Sequence, residues 1–482
     1  MAAPTLKEQT AKGLFWGAFS NATQQLVGVA FGIMLARLLS PHDYGLFSML
    51  LIFTAAANLL QDSGFTTALI NKKDASDEDY NAVFWFSCSM GACLYVIFFL
   101  AAPYIAQYYK APELTSAARV LFLWFLFGCT GTVHNAILIK RLMMKEKTRA
   151  DLLAFFASCL VALGMALCGM AYWSLIVQMV VQGFVNVCLR WYYSPWRPSF
   201  RFNAAPLKKM FPFSIKLLLT GIFNVINDNI FALILGISYS KAQAGFYAQG
   251  RKWSYMAYST VWGMANNVSQ AVLAQVADTA DRQQNVFRKL IRFMAYVTFP
   301  SMLGLAFISE EFIAITVGEK WLPSIPYMQL FCLWAIVTPL NNICTNTIIS
   351  RGKSNIYMYG TITLDVVQLL VIYFSAPLGV FQMVINYVIT CFVWFFVWFY
   401  FVKRYTGVRL IEVLVRDVMP FLCITLIAIG AAYLITLPLA NIYLRILCKI
   451  IVVAGIYIAI LYAARSVMLK ETIQYIQKIV KR

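Results

Sequence analysis

Four basic residues of this chain stand where a basic residue is hardest to explain. Arg119, Lys216, Arg251 and Lys252 interrupt long apolar runs, and three acids, Asp62, Asp228 and Asp365, sit in similar settings. A charge near the middle of a bilayer costs on the order of 2.5–3.5 kcal/mol on insertion scales, so each implies a partner or a purpose. Arg251 and Lys252 are the sharpest case. They lie about ten residues, or roughly 15 Å at 1.5 Å rise per residue, from the outer end of their run, too deep for easy snorkelling. Because the bases outnumber the acids, a chamber they line would be electropositive. Such a chamber suits an anion such as a pyrophosphate and suits an organic cation poorly. The acids would pair with the buried bases or hold a coupling H⁺ or Na⁺.

Uncharged polar residues extend the pattern. Lys216, Thr220, Asn224, Asn227 and Asp228 step by three or four and share one helix face. Two hundred positions earlier, Ser20, Gln24 and Gly28 repeat that spacing, with Asn21 and Gln25 beside them. Arg251, Tyr255, Tyr258 or Ser259, Trp262, Asn266 and Gln270 form a third stripe. Polar stripes turned to lipid would leave their donors and acceptors unpaired, so they should face a shared cavity; hydrogen bonding between helices of a dry bundle is the alternative. The aromatic members could stack on sugar rings. The cavity candidates are therefore Lys216, Arg251, Lys252, Arg119, Gln24, Asn224, Asn227, Tyr255, Trp262 and Asn266, and the coupling-ion candidates are Asp228, Asp365 and Asp62. The aromatic run CFVWFFVWFY at 391–400 is expected to face lipid, and His134 to serve packing. With two histidines and all eleven cysteines inside apolar segments, neither a metal site nor a disulfide is expected.

These residues need apolar elements to hold them, and the composition supplies them. The 482 residues are 61% hydrophobic and 12% charged, against roughly 25% charged in soluble proteins. Continuous apolar runs of about 20 residues mean an all-α polytopic membrane protein, whereas a transmembrane barrel would need alternation. About fourteen spans are expected, over 13–38, 42–69, 80–109, 114–139, 150–170, 172–193, 210–238, 242–276, 285–309, 323–349, 355–376, 378–402, 416–437 and 442–465. The first is expected to be a retained helix and not a cleaved signal. With the N-terminus inside, basic clusters at 140–149 and 190–209 fall on the inner side, while the outer side keeps only Lys110, Lys241 and Lys320. By the positive-inside rule both termini are then cytoplasmic. The net charge of +19 becomes a topology signal facing anionic lipid, with no nucleic acid required. The longest internal hydrophilic stretch, SPWRPSFRFNAAPLKK, leaves no room for a soluble domain. That counts against an ATPase subunit, a glycosyltransferase, and a glycan polymerase or ligase with a large reactive outer loop.

A corner of the chain is written twice. LARLLSPHDYGLFSM at 35–49 returns as LGISYSKAQAGFYAQ at 235–249, Ser40 falling on Ser240 and Gly45 on Gly245. Ser40, Pro41 and Asp43 have the spacing of a helix N-cap with a capping-box partner. Trp124 and Trp334 sit in matching fourth helices of the two halves. Six helices separate the copies, an even number, so the halves enter the membrane in one direction and are related by an axis along its normal. The organisation expected is two pseudo-symmetric six-helix lobes, 1–194 and 210–402. A basic cytoplasmic linker at 195–209 joins them, and 403–482 carries two further helices and an amphipathic tail that could lie on the inner leaflet.

With ARLLSPHDYGLFSM, DSGFTTALI at 62–70 and the basic stretch NAILIKRLMMKEKTR, the chain resembles the polysaccharide-transport (Wzx-like flippase) family of the multidrug/oligosaccharidyl-lipid/polysaccharide exporter (MOP) superfamily. The resemblance implies a central cavity lined by helices one, two, seven and eight, alternating access, and a bacterial inner-membrane location. It implies a transporter rather than an enzyme, moving an undecaprenyl-diphosphate-linked oligosaccharide outward. No cofactor is implied, and an H⁺ or Na⁺ gradient is the candidate driving force. Its expected partners are bilayer lipid, the lipid-linked glycan and the polysaccharide polymerase and export machinery, with the flippase itself a monomer. The rival within the superfamily is a multidrug exporter of organic cations.

Overall fold

The computed structural model describes residues 6–62, 64–72, 75–200, 203–276 and 279–480. Their side chains are described except at 6–15 and at scattered positions, densest in 213–233 and 260–275. No strand occurs among the described residues. Eleven of their helices are long and apolar enough to cross a membrane. The chain divides into two compact units, residues 1–245 and 246–482.

The first unit holds α1 (Leu6–Leu38), α2 (Pro41–Asp62), α3 (Phe65–Asn71), α4 (Asp77–Tyr108), α5 (Leu114–Leu121), α6 (Leu123–Lys140), α7 (Met144–Leu167), α8 (Trp173–Tyr193) and α9 (Ala205–Ser238). The expected span 42–69 is two helices: the chain breaks at Gly64, whose φ of +73° leaves the helical region that a side chain would favour. The expected span 114–139 is likewise built from α5 and α6, which meet at Phe122. Helix α4 begins at Asp77, earlier than the apolar run, because Ser76 and Asp79 form a capping box. Helices α7 and α8 pack as a hairpin, α1 lies along α7, and α9 runs along α2.

The repeated corner is where the first unit closes on itself. In the first copy, Ser40 N–H and Oγ–H donate to Asp43 Oδ2 at 2.9 and 2.6 Å, and Asp43 N–H donates to Ser40 Oγ at 3.3 Å. In the second copy, Ser240 N–H donates to Gln243 Oε1 at 3.3 Å and Gln243 N–H to Ser240 Oγ at 3.2 Å. The same cap is therefore built with an acid once and an amide once. The two corners also touch reciprocally. A Cβ on Gly45 would overlap the Lys241 carbonyl, and a Cβ on Gly245 would overlap the Pro41 carbonyl. Each glycine thus admits the backbone four residues before the other, as a local two-fold axis between the copies demands. Lys241 also pairs with Glu113. Burial raises the Glu113 carboxyl, and the Lys241 hydrogen bond, a backbone hydrogen bond and the charges of Lys241 and His42 together outweigh it, holding the group below its ordinary value.

The second unit holds α10 (Lys241–Gln275) beyond its first turn, then α11 (Ala280–Phe307), α12 (Ser309–Thr316), α13 (Ile325–Ser350), α14 (Ser354–Ser375), α15 (Val380–Thr406), α16 (Leu410–Glu412), α17 (Met419–Thr436), α18 (Ile442–Ala463) and α19 (Val467–Val480). Its core gathers Phe287, Ile291, Cys344, Trp398 and Phe399 from α11, α13 and α15. The run 391–400 is therefore only half lipid-facing, which corrects the expectation above. Phe395, Trp398 and Phe399 are buried, while Phe392, Val393, Phe396 and Tyr400 are exposed. One helix face at 3.6 residues per turn cannot present ten consecutive residues the same way.

Two acids outside the expected trio prove to be buried hubs of this unit. Glu311 on α12 pairs with Arg445 at 2.8 Å and Lys449 at 2.6 Å on α18. Asp417, in a short π-helical turn over Val413–Val418, receives Arg288 and Arg292 from α11. Glu311→Ala is expected to strand both α18 cations and cost about 3 kcal/mol or more. A fall of several degrees in the melting temperature of detergent-purified protein would report it. A melting curve unchanged from wild type would show that the cations reach water instead.

Candidate functional site

A polar cavity of about 270 Å³ opens inside the first unit, between α1, α6, α7 and α8. It is lined by Gln24, Trp124, Gly128, Asp151, Gln182, Gly183, Asn186, Val187 and Arg190. Asp151 organises the charges. Its Oδ2 accepts from Lys147 at 2.5 Å, and its Oδ1 accepts from Asn186 Nδ2 at 2.9 Å and from Arg190 at 3.2 Å. The three ionic side chains are largely buried, with 16–27% exposed. Two cations and an amide thus converge on one carboxylate.

Two hydrogen-bonding groups in this lining are left over. Arg190 Nε–H and Asn186 Oδ1 are both buried and have no partner among the described residues. Asn186 must present Oδ1 as its spare group, because its Nδ2 is committed to the carboxylate. Unsatisfied buried polar atoms cost about 1–3 kcal/mol each and are rare in native proteins.

Trp124 forms a wall and is fixed at both ends. Its indole N–H donates to Asn58 Oδ1 at 2.8 Å. Its ring lies so close to Gly183 that a Cβ there would overlap it. Glycine at 183 therefore leaves room for the indole's six-membered ring against α8. Gln24 reaches the cavity from α1, with Nε2 donating to buried Ser20 Oγ at 2.9 Å.

Of the cavity candidates read from sequence whose side chains are described, Gln24 lines this cavity, as does Trp124 of the repeat. Arg119 ends α5 with its guanidinium 4.3 Å from the centroid of the Phe99 ring, a cation–π contact with α4. Arg251 and Lys252 are half-buried on α10, and the Lys252 ammonium stands 5.1 Å from the Trp253 ring centroid. On the same helix Tyr255 and Trp262 are partly exposed, with Tyr255 against Tyr258, which packs on Trp334. Asp365 is buried on α14, one turn from Gln368, whose amide reaches Cys391 Sγ at 3.2 Å. The side chains of Lys216, Asn224, Asn227, Asp228, Asn266 and Asp62 lie outside the described residues. His134 packs as expected, fully buried, with Trp191 and Trp196 ring centroids at 4.6 and 5.5 Å.

The count of acids within the spans was too low at three: Asp151 and Asp417 stand at the second position of the expected spans 150–170 and 416–437, and Glu311 two residues beyond 285–309, and the structure pairs all three with cations. Lys147 and Arg190 were absorbed into the inner basic clusters, yet both are held by Asp151. A signal for this site was present in the sequence. Gln178, Gln182, Asn186 and Arg190 step by four along α8, as the stripe of α9 does.

Comparison with known proteins follows from this geometry. The family described as polysaccharide biosynthesis protein matches residues 34–326. An uncharacterized membrane protein in the cps region of Klebsiella pneumoniae is 26% identical over 380 residues, covering 77% of each chain. The lipopolysaccharide biosynthesis protein WzxC of Escherichia coli strain K12 is 24% identical over 362 residues, covering 73% of this chain and 72% of its own. Among solved structures, the lipid II flippase MurJ in an inward closed conformation superposes with a TM-score of 0.72 at 14% identity, over 94% of this chain and 99% of its own. That likeness shows a shared helical fold.

Proposed function

Because the chain belongs to the polysaccharide biosynthesis protein family, we propose that it is a membrane flippase that carries a lipid-diphosphate-linked glycan outward by alternating access. It is a transporter and not an enzyme. The observation that carries this reading is the cavity of the first unit, where hydrogen-bonding groups and one aromatic wall line a space inside an otherwise apolar bundle. A space lined by amides, a carboxylate and a guanidinium inside an apolar bundle suits a polar passenger. The relationship to WzxC, whose name assigns it to lipopolysaccharide biosynthesis, supports a glycan as that passenger.

In this reading the chain crosses the bacterial inner membrane fourteen times, with both termini in the cytoplasm. The three helices beyond the eleven plainly apolar spans are α1, α9 and α10, the carriers of the polar stripes. Each exceeds 30 residues, or about 45 Å at 1.5 Å per residue, ample to cross. Rocking of the two six-helix lobes alternates access, and the linked substrate biases that equilibrium only by its differential affinity for the two states. The bases Arg251, Lys252 and Lys216 hold the diphosphate while the prenyl chain stays in lipid. Asp228, Asp365 and Asp62 are the groups through which an H⁺ or Na⁺ gradient drives the cycle. A polymerase and export machinery receive the product.

The decisive test is genetic and chemical together. A deletion strain should accumulate lipid-linked glycan on the inner leaflet, and wild-type protein should clear it. The double reversal Arg251→Glu, Lys252→Glu is expected to cut clearance by roughly two orders of magnitude or more, since attraction to the diphosphate becomes repulsion. Normal clearance by that variant would remove the diphosphate role from α10. Unimpaired efflux of organic cations by wild type, with no glycan accumulation in the deletion strain, would favour the drug-exporter reading.

A further inference from the structure

The two bases of α18 run against the charge bias of the chain. In the topology proposed above, the end of α18 that carries Arg445 and Lys449 lies outside, where lysine and arginine are scarce. Glu311 answers one of them, not both, since the two crowd onto the same oxygen, Oε1. Lys449 is closed in. Only 11% of its side chain is exposed, and its ammonium also lies 3.5 Å from the Phe307 carbonyl and 4.4 Å from that ring's centroid. Arg445 is open, with 33% of its side chain exposed. Its Nε is sealed against Glu311, while Nη1 and Nη2 have no partner among the described residues and form the free edge of the guanidinium. Glu310, the exposed acid beside Glu311, makes no ion pair with it.

We propose that this free edge is a lipid site: Arg445 takes the phosphodiester of an anionic phospholipid from the leaflet that meets the α17–α18 turn. The site lies in the second unit, apart from the cavity described above, and it borrows only the topology of the flippase reading.

Level comes first. Arg445 stands four residues past Asn441, whose side chain caps α18, or about 6 Å along the axis at 1.5 Å per residue. The polar layer on each side of the hydrocarbon core is roughly 5–7 Å thick, so the guanidinium reaches headgroup level. Tyr433 and Tyr443 are exposed at the same end of the hairpin, as tyrosines at a membrane interface are. Leu437, Leu444 and Leu447 around them offer exposed apolar surface to acyl chains.

Chemistry comes second. Two N–H groups in a fixed plane match two phosphate oxygens, and such forked pairs are the strong form of charge-assisted hydrogen bond. Lys449, one turn further along the helix, adds attraction for a negative headgroup and repels an ammonium-bearing one. The lipid preferred is therefore anionic and not zwitterionic. Its binding would also tie the α17–α18 hairpin to the bilayer at the point where Glu311 ties it to α12.

The test titrates full-length protein in neutral detergent with phosphatidylglycerol, phosphatidylcholine or inorganic phosphate, read by native mass spectrometry and by melting. Phosphatidylglycerol at a hundredfold excess over its dissociation constant should raise the wild-type melting point by about 5 °C. Arg445→Gln should weaken that lipid roughly tenfold to a hundredfold, the worth of a hydrogen-bonded charge. Arg445→Lys keeps the cation but not the fork and should fall between them. Arg416→Gln, at an exposed base before α17 on the opposite side of the membrane, should bind as wild type. If Arg445→Gln does not fold, Arg445→Lys carries the test, because it leaves Glu311 both of its cations. The proposal is overturned if phosphatidylglycerol binds wild type and the Arg445 variants alike, or if phosphatidylcholine binds as tightly. It is equally overturned if inorganic phosphate gives the Arg445-dependent rise, which would make the site one for a soluble anion. The clearance assay keeps the two readings apart. Arg445-dependent lipid binding by a protein that clears no lipid-linked glycan sinks the flippase alone, and full clearance without that binding sinks only the lipid site.

Discussion

Asp417→Ala is expected to destabilise the second unit by about 3–5 kcal/mol, the range for breaking a buried ion pair from one side. Asp417 is wholly buried and its two oxygens are divided between two arginines. Arg288 Nε donates to Oδ2 at 2.7 Å, and Arg292 Nε donates to Oδ1 at 2.9 Å. Arg288 has a second acceptor, Glu412 at 3.2 Å, but Arg292 depends on Asp417. Without the carboxylate, two guanidiniums one turn apart on α11 face each other and the protein with little to screen them. Melting of detergent-purified protein should fall by about 10 °C, at roughly 2–4 °C per kcal/mol for a unit of this size. Replacing all three together, Arg288→Met, Arg292→Leu and Asp417→Leu, should recover much of the loss, because apolar side chains of similar volume carry no desolvation penalty. A single-variant melting point within 2 °C of wild type, a bound set below the effect of 1 kcal/mol, would show that the arginines turn to water.

The second large effect is a reversal of sign at the repeated corner. Alanine normally stabilises a helix over glycine by about 1 kcal/mol. At Gly430 and Gly455, where an added Cβ meets open space, substitution should follow that rule. At Gly45 and Gly245 it should cost about 1–3 kcal/mol or more, because the added carbon overlaps a backbone carbonyl that no side-chain rotation can clear. The double variant should cost less than the sum, since one crossing is lost only once. Thermal melting reads the stability, and clearance of lipid-linked glycan reads whether the crossing is also needed for function. Equal behaviour of Gly45→Ala and Gly430→Ala would refute the close approach.

The corner is also the clearest case of structure written in sequence. A serine, a hydrogen-bonding side chain three residues on and a glycine two further define a cap and a contact point by local geometry alone, and both copies fold accordingly. The helical spans were legible for a similar reason: a run of about twenty apolar residues leaves the backbone no other way to satisfy itself in lipid. Breaks within the spans were harder. Gln61, Asp62 and Ser63 before Gly64 are a polar turn signal inside the expected span 42–69, but a hydropathy average over the span smooths it away and has no view of a backbone turning to φ +73°.

Matched residues did not guarantee matched roles. Trp124 and Trp334 occupy equivalent places in the repeat, yet Trp124 walls a cavity against Gly183 while Trp334 packs on Tyr258 and Phe331. A stripe at i, i+4 says which residues share a face. It does not say which face of which other helix will meet it.

The amino-acid sequence alone determined the helical, membrane-spanning class, the duplicated corner with its caps, and the polar stripes, because each depends on contacts within a few residues of chain or on transfer from water to lipid. Only the tertiary structure decided that Asp151 takes Lys147 and Arg190 out of the basic clusters, and that Glu311 and Asp417 are hubs. Those outcomes depend on which helices lie side by side. That choice is made by packing between segments tens to hundreds of residues apart, where the repeat in composition carries no information about partners.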